Sequence, residues 1–320
     1  PPTSPILPEK LVQPTEELAI KCYRGSKGLD EIYAGWLQLK TLIQTQSYCQ
    51  HTARFRAYLA SISSMSGDLE FWVAFRGKRL VAVLPLLKRR SGPYRRASLP
   101  RDEGLYQSDF AIADGENKRN LWASARKQLN ASRATGWDVF SVPGEGALET
   151  ATVVQCLDSE DRLTYSRVLA QRCMIIDVLP YETTRSNLKS KFRNNLKRSE
   201  RRLNEQGEAR FRRVRAPEEI EGALEQLIEL ELTGWKGQTD NQKAGYPNPS
   251  AIGLHDWKQK FYRLVATEFA RLGGAEIVLL EVDGRTIGAQ FNLLLNETCY
   301  LLKTTYDENT TGFAPGHLMI

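Results

Sequence analysis

The chain has 320 residues, 41% hydrophobic and 26% charged, which is ordinary globular composition with room for about two domains. No apolar run approaches the roughly 20 residues needed to cross a bilayer, and the opening Pro1-Pro2-Thr3-Ser4 has neither the basic start nor the apolar stretch of a signal peptide. The expectation is a cytoplasmic protein, although the first residue is not Met and a removed leader is compatible with that. The five cysteines, Cys22, Cys49, Cys156, Cys173 and Cys299, are scattered and never form a C-x-x-C pair, which argues against disulfides and zinc. The net charge of +6 conceals an asymmetry: Arg185–Arg215 holds twelve Lys and Arg against three Glu, so this segment carries +9 and the remainder about −3.

In chain order, residues 1–15 are Pro-rich and read as a tail. Helical periodicity follows at Leu29–Ile43 and His51–Ser61. A β-hairpin is expected from Leu69–Phe75 and Leu80–Leu87, turning at Arg76-Gly77-Lys78-Arg79. Lys88–Asp109, basic and broken by Gly92-Pro93, reads as a loop. Asn117–Ala131 reads as a helix, Trp137–Val142 as a strand, Ala147–Leu157 as a short helix and Met174–Val178 as a strand. The second half opens with a basic helix, Thr184–Leu203, whose Leu188, Phe192, Leu196 and Leu203 lie near one face. A strand at Phe211–Val214 precedes a helix from Pro217 to Thr233, started by a proline suited to a first turn. Leu254–Leu272 is a strong helix stopped by Gly273-Gly274. Three strands, Ala275–Val282, Ile287–Leu295 and Thr298–Tyr306, are joined by tight turns. A last helix begins near Pro315.

The chain repeats itself. At an offset of 207 residues, Phe75–Leu87 lies over Val282–Leu294, with Gly77 over Gly284 and Ala82 over Ala289. Each hairpin has a helix before it and a strand, loop and helix after it. Duplication of one α/β unit is expected.

The order of elements, with the helix that ends at Trp235, the D-G-R-x-I-G-A hairpin, and Y-L-L-K-T-x-Y-D followed by F-A-P-G-H-L, resembles the CelD/BioF-like acetyltransferase family. This family belongs to the GNAT superfamily and is related to the Fem peptidyltransferases. The resemblance runs from about Tyr33 to Ile320 and is most specific from Asn187. It implies an α/β fold of tandem GNAT-like lobes, with mixed, mostly antiparallel sheets flanked by helices. Residues 16–174 would form a degenerate lobe and 175–320 the catalytic lobe. It also implies acyl transfer from acetyl-CoA or another acyl-CoA, as co-substrate, to an amine or hydroxyl, in a setting such as bacterial exopolysaccharide or cellulose synthesis. A family member is expected to continue beyond the Pro-Gly helix with a further strand, so the catalytic lobe reads as truncated.

In a GNAT lobe the pantetheine arm follows a strand edge, and the pyrophosphate sits where the next helix starts. Unpaired N–H groups and the positive end of the helix dipole favour an anion there. The matching residues are Pro315, Gly316, His317 and Leu318. Gly316 lets a phosphate approach the backbone, and the His317 ring is read as incidental. Lys303 sits mid-strand in Leu301-Leu302-Lys303-Thr304-Thr305, and simple alternation puts Leu301, Lys303 and Thr305 on one face. It is a candidate for binding an anion or acting as a base, or is simply a surface charge. Tyr306 is a candidate proton donor to the leaving thiolate, and Asp307 a candidate base or a loop cap. Gln290, polar in an apolar strand, could bind the acceptor, as could Lys189 and Arg193 of the basic helix. No His, Cys and acid spacing suits a metal, and neither a nucleophile elbow nor a P-loop is present.

The basic helix keeps three readings open: a solvated face, a wall for CoA phosphate, an anionic acceptor or an anionic surface, or an RNA site. Few aromatics interleave its charges, which argues against base stacking, and no DNA partner is expected. For the whole chain, acyl-CoA-dependent transfer by direct attack is favoured, because no Ser or Cys stands in an activated setting. The alternatives are a Fem-like transferase using aminoacyl-tRNA and a non-catalytic adaptor of polysaccharide-synthesis machinery.

Overall fold

The structure, a computed structural model, describes residues 17–44, 47–61, 69–100, 110–129, 137–141, 176–238 and 250–319. The expected tail, the helix at Ala147–Leu157 and the first two residues of the strand at Met174–Val178 lie outside them. The rest of that strand, residues 176–178, is irregular.

Described residues divide between two compact units. In the first, β1 (Leu18–Arg24) leads into α1 (Gly25–Lys40), followed by β2 (Leu69–Arg76), β3 (Arg79–Ser91), β4 (Tyr94–Ser98), β5 (Ala111–Ile112), α3 (Lys118–Leu129) and β6 (Val139–Ser141). The sheet order is β1-β2-β3-β4-β6, with β5 on β3. Leu29, Ile32, Trp36 and Leu39 recur at helical spacing on α1 and are buried, with Trp36 edge-on to Phe71 of β2. Lys88–Asp109 is thus not simply a loop. β3 runs on to Ser91, Gly92 turns at φ +59°, and β4 returns. Basic residues hid this hairpin because Arg89, Arg90, Arg95 and Arg96 pair where solvent reaches the strands.

The second unit takes α2 (Thr52–Ser61) from the N-terminal half, where a division at residue 175 would not place it. It continues with α4 (Tyr181–Asn187), α5 (Ser190–Asn204), β7 (Ala209–Val214), α6 (Pro217–Thr233), α7 (Asp256–Arg271), β8 (Ala275–Val282), β9 (Arg285–Leu295), β10 (Thr298–Tyr306) and α8 (Pro315–Leu318). The sheet order is β10-β9-β8-β7, all antiparallel. α2 and α6 both pack on α7. The expected single basic helix is two helices, because Leu188 is extended (ψ 138°). Ser186 and Asn187 are weak helix formers whose side chains compete with the backbone, and Ser186 Oγ donates to the Thr183 carbonyl at 2.8 Å.

Both units repeat one antiparallel order, β1-β2-β3-β4 and β7-β8-β9-β10. The pairing corrects the offset from 207 to 206: Arg76 faces Arg79 as Val282 faces Arg285, and a bulge follows Ala74 on β2 as another follows Leu280 on β8. Gly77, with φ +56°, therefore matches Asp283, at φ +48°, and not Gly284. Sequence identity aligned the glycines, but the fold aligns the first turn position.

Candidate active site

α6 buries Ile220, Ala223, Leu224, Leu227, Ile228 and, one turn further, Glu231. The Glu231 side chain is fully buried, and a carboxylate there needs partners. Its Oε2 accepts the Ile252 N–H at 2.7 Å, and its Oε1 lies 3.4 Å from Lys236 Nζ and 3.6 Å from Lys303 Nζ. Lys303 also lies 5.4 Å from the centre of the Tyr262 ring on α7. A bulge at Leu302 breaks the alternation, so Leu301 opposite Asn292 and Lys303 opposite Phe291 fall on different faces. Lys303 thus faces the helices and is largely buried, which corrects both its expected company with Leu301 and the surface-charge reading.

The other face of the sheet carries a polar ladder. Gln290 Nε2 donates to Asn292 Oδ1 at 2.8 Å, Asn292 Nδ2 to Glu276 Oε1 at 3.4 Å, and Arg215 Nε to Glu276 Oε2 at 2.7 Å. Gln290, Asn292 and Glu276 are all buried.

β10 ends the sheet. Asp307 N–H donates to the Ile287 carbonyl, so antiparallel alternation turns the backbone groups of Thr304 and Tyr306 to the outer edge. Lys236 Nζ takes the Thr304 carbonyl at 2.7 Å. Asp307 is committed: Oδ1 accepts from the Asn309 backbone and side-chain N–H groups, both at 2.9 Å, and Oδ2 pairs with Arg285. An open pocket of about 610 Å³ lies beside it, lined by Gln226, Glu229, Arg285, Thr286, Asp307 and Glu308 among others. Ala314 at φ +50° turns the chain into α8, where Pro315 is buried and Gly316 stands over the Tyr306 ring. The exposed His317 ring meets Phe192 of α5 edge-on at 5.5 Å. Leu318 packs against the cluster of Leu203, Leu280, Ile287 and Met319.

The structure thus brings Tyr306 to Gly316, and α5 to α8. It separates Lys303 from Gln290 by the thickness of the sheet. Lys189 is exposed at the start of α5, and Arg193 ties the two basic helices together by donating to the Arg185 carbonyl at 3.2 Å. Sequence reasoning missed Glu231, Lys236, Asn292 and Glu276. Glu231 was findable, since it occupies a core position of the helical period. Burial pushes the Cys299 thiol up, with the Glu276 charge adding to it. Burial also works to raise the Glu281 carboxyl, but Arg212 and Arg210 outweigh it and hold the group below its ordinary value. Among the described residues no cluster of three or more His, Cys, Asp or Glu is placed to hold a metal, and no helix is long and apolar enough to cross a membrane.

Residues 190–320 match the family described as "Acetyltransferase (GNAT) domain". No curated protein matches the chain. Among solved structures, FemX resembles it at 11% identity over 93% of this chain and 83% of that one, with a TM-score of 0.54. A conserved protein of unknown function from Bacteroides thetaiotaomicron matches at 13% identity over 90% of this chain and 84% of that one, with a TM-score of 0.49. A tandem GNAT protein from the clavulanic acid biosynthesis pathway matches at 16% identity over 94% of this chain and 83% of that one, with a TM-score of 0.37. The likeness to FemX concerns the fold alone, and the other two are weaker. The fold is α/β, and residues 190–320, which lie within its second unit, are similar to an acetyltransferase (GNAT) domain.

Proposed function

We propose that the protein moves an acyl group from acetyl-CoA or a longer acyl-CoA to an amine or hydroxyl, on the sheet of the second unit. The observation that carries this is the GNAT match over α5 to α8, which includes an edge strand, β10, with outward backbone groups, followed after a 3-10 helix at Glu308–Phe313 by the Ala314–Pro315–Gly316 turn. An extended pantetheine arm suits such an edge, and the Gly316 N–H suits its pyrophosphate, since the N–H groups of Ala314 and His317 already donate to the Thr311 and Ala314 carbonyls. The acceptor nucleophile attacks the thioester carbonyl carbon, the C–S bond breaks, and the proton lost by the acceptor ends on the thiolate. Tyr306, at the end of β10, is the proposed donor of that proton. Lys303, held by Glu231, supplies positive charge behind the strand. Asp307 shapes the turn through its cap, a role its partners favour over proton abstraction. Acyl transfer within exopolysaccharide or cellulose synthesis is the setting the sequence resemblance favours.

Isothermal titration with acetyl-CoA tests the reading. Gly316→Glu puts a carboxylate where the pyrophosphate would lie. A β-carbon there meets the Tyr306 ring at 3.4 Å, an ordinary contact, so the fold should survive. Saturable acetyl-CoA binding, lost in a folded Gly316→Glu variant, is expected. Unchanged affinity in that variant would remove the site. The basic α4–α5 segment favours a second reading, an aminoacyl-tRNA donor: that would show as tRNA binding that weakens steeply with salt as counterions are released.

A further inference from the structure

Gln290 Oε1 is buried and accepts no hydrogen bond from the protein, on a residue only 4% exposed. Buried polar atoms ordinarily find partners, so this one calls for a ligand. The ladder behind it decides which end of the amide is offered. Glu276, clamped by Arg215, is a carboxylate that only accepts. Asn292 must therefore turn its nitrogen to Glu276 and its oxygen to Gln290, and Gln290 must spend its nitrogen on Asn292. The free end of the ladder is thus an acceptor. It lies mid-sheet, beside Val278 and opposite Thr304, one strand spacing, about 4.8 Å, from β10 and its outer edge.

We propose that Gln290 Oε1 receives the hydrogen bond of the acceptor's attacking amine or hydroxyl, and that Glu276 is the positioning residue that fixes this polarity through Asn292. The inference rests on the acyl-transfer reading for its name of "acceptor". The amide oxygen is too weak a base to keep the proton. It orients the nucleophile's N–H or O–H, so that the lone pair points at the thioester carbon while the proton leaves for the thiolate. An ionised carboxylate, having no proton to give, is refused at this atom.

The test uses the full chain and three matched probes: cyclohexanol and cyclohexylamine, which donate, and cyclohexanone, which only accepts. Binding is read from the side-chain amide resonance of Gln290, identified by its loss in Gln290→Met. Wild type should bind the two donating probes about tenfold more tightly than the ketone. Glu276→Gln lets the ladder reverse, and should erase or invert that preference. Should that variant not fold, Asn292→Leu cuts the ladder, leaves the Arg215–Glu276 pair, and should likewise erase it. Gln290→Met removes one unsatisfied oxygen but takes the donor from Asn292 Oδ1, so the two effects oppose and the melting temperature should change little. No preference in wild type, or a preference that survives a folded Glu276→Gln or Asn292→Leu, would overturn the proposal. Acetyl-CoA titration separates the two ideas: preference intact without acetyl-CoA binding removes acyl transfer and keeps a site for hydrogen-bond donors.

Discussion

The two sheets carry the same buried anchor and use it differently. Glu70 on β2 and Glu276 on β8 are equivalent at the offset of 206, and each is gripped by an arginine at the end of the neighbouring strand, Arg24 and Arg215. In the first unit the anchor is closed: Glu70 Oε2 takes the Trp72 indole N–H at 2.9 Å and Lys88 at 2.9 Å. The positions equivalent to Gln290 and Asn292 are Leu84 and Leu86, both buried. In the second unit the anchor is open, and its polarity passes through two amides to an unsatisfied oxygen. Duplication supplied the frame twice. At these equivalent positions only the second copy leaves a buried polar atom without a partner, and the acceptor site proposed above uses it, in the half that matches the GNAT domain.

This difference predicts a double dissociation, and it is the largest effect expected. Glu70→Leu removes the carboxylate that Lys88 and Trp72 share under a nearly closed surface, and should cost about 3 kcal/mol. Glu276→Gln should cost about 1 kcal/mol, since the Arg215 side chain is 57% exposed and can turn to water, and the contact from Asn292 is long. Denaturant unfolding of both variants checks this. Equal losses would mean that both anchors are structural, and the contrast between the units would fall.

A smaller effect comes from the position where Ala82 and Gly288 are equivalent. Ala82 is buried within its sheet. At Gly288 a β-carbon would sit 2.7 Å from Met319 Sδ, so the glycine makes room for the residue that follows α8. Gly288→Ala should cost 1 kcal/mol or more by overpacking, and Met319→Ala in the same chain should return part of it. Additive losses would show that the two residues do not share the space.

Much of this architecture can be read from the sequence, because β8 to β10 are apolar runs closed by tight turns and α6 starts with Pro217. What escaped reading has physical causes. β1 is an edge strand and β4 a short, charged one, and their partners, not their own residues, make them strands. The bulge at Leu302 puts Leu301 and Lys303, two residues apart, on different faces, and no alternation rule anticipates it. Gln290 stood out as a polar residue in an apolar strand. That its oxygen is the free end follows only from Glu276, which is fourteen residues away in sequence and adjacent in space.

The smallest effect concerns pH, and it compares Glu281 with its counterpart Phe75. Arg212 and Arg210 hold Glu281 at 2.9 and 2.8 Å, whereas the equivalent of Arg212 in the first unit, Lys21, lies 5.6 Å from the centre of the Phe75 ring. The folded Glu281 carboxyl sits below its ordinary value, because the two guanidiniums outweigh burial. A depressed carboxyl contributes stability that is complete above the unfolded pKa of about 4.3, and lost as pH falls through the lower folded value. Glu281→Gln should therefore trail wild type by a constant margin from neutral pH down to about pH 5, and the margin should close in more acid solution. With both arginines partly exposed, it should stay near 0.5 kcal/mol and shrink with salt. Phe75→Leu also loses a small contribution, but the ring it removes carries no ionisable group, so its margin should not change with pH. Parallel curves for the two variants between pH 7 and pH 3 would show that Glu281 gains nothing from its arginines.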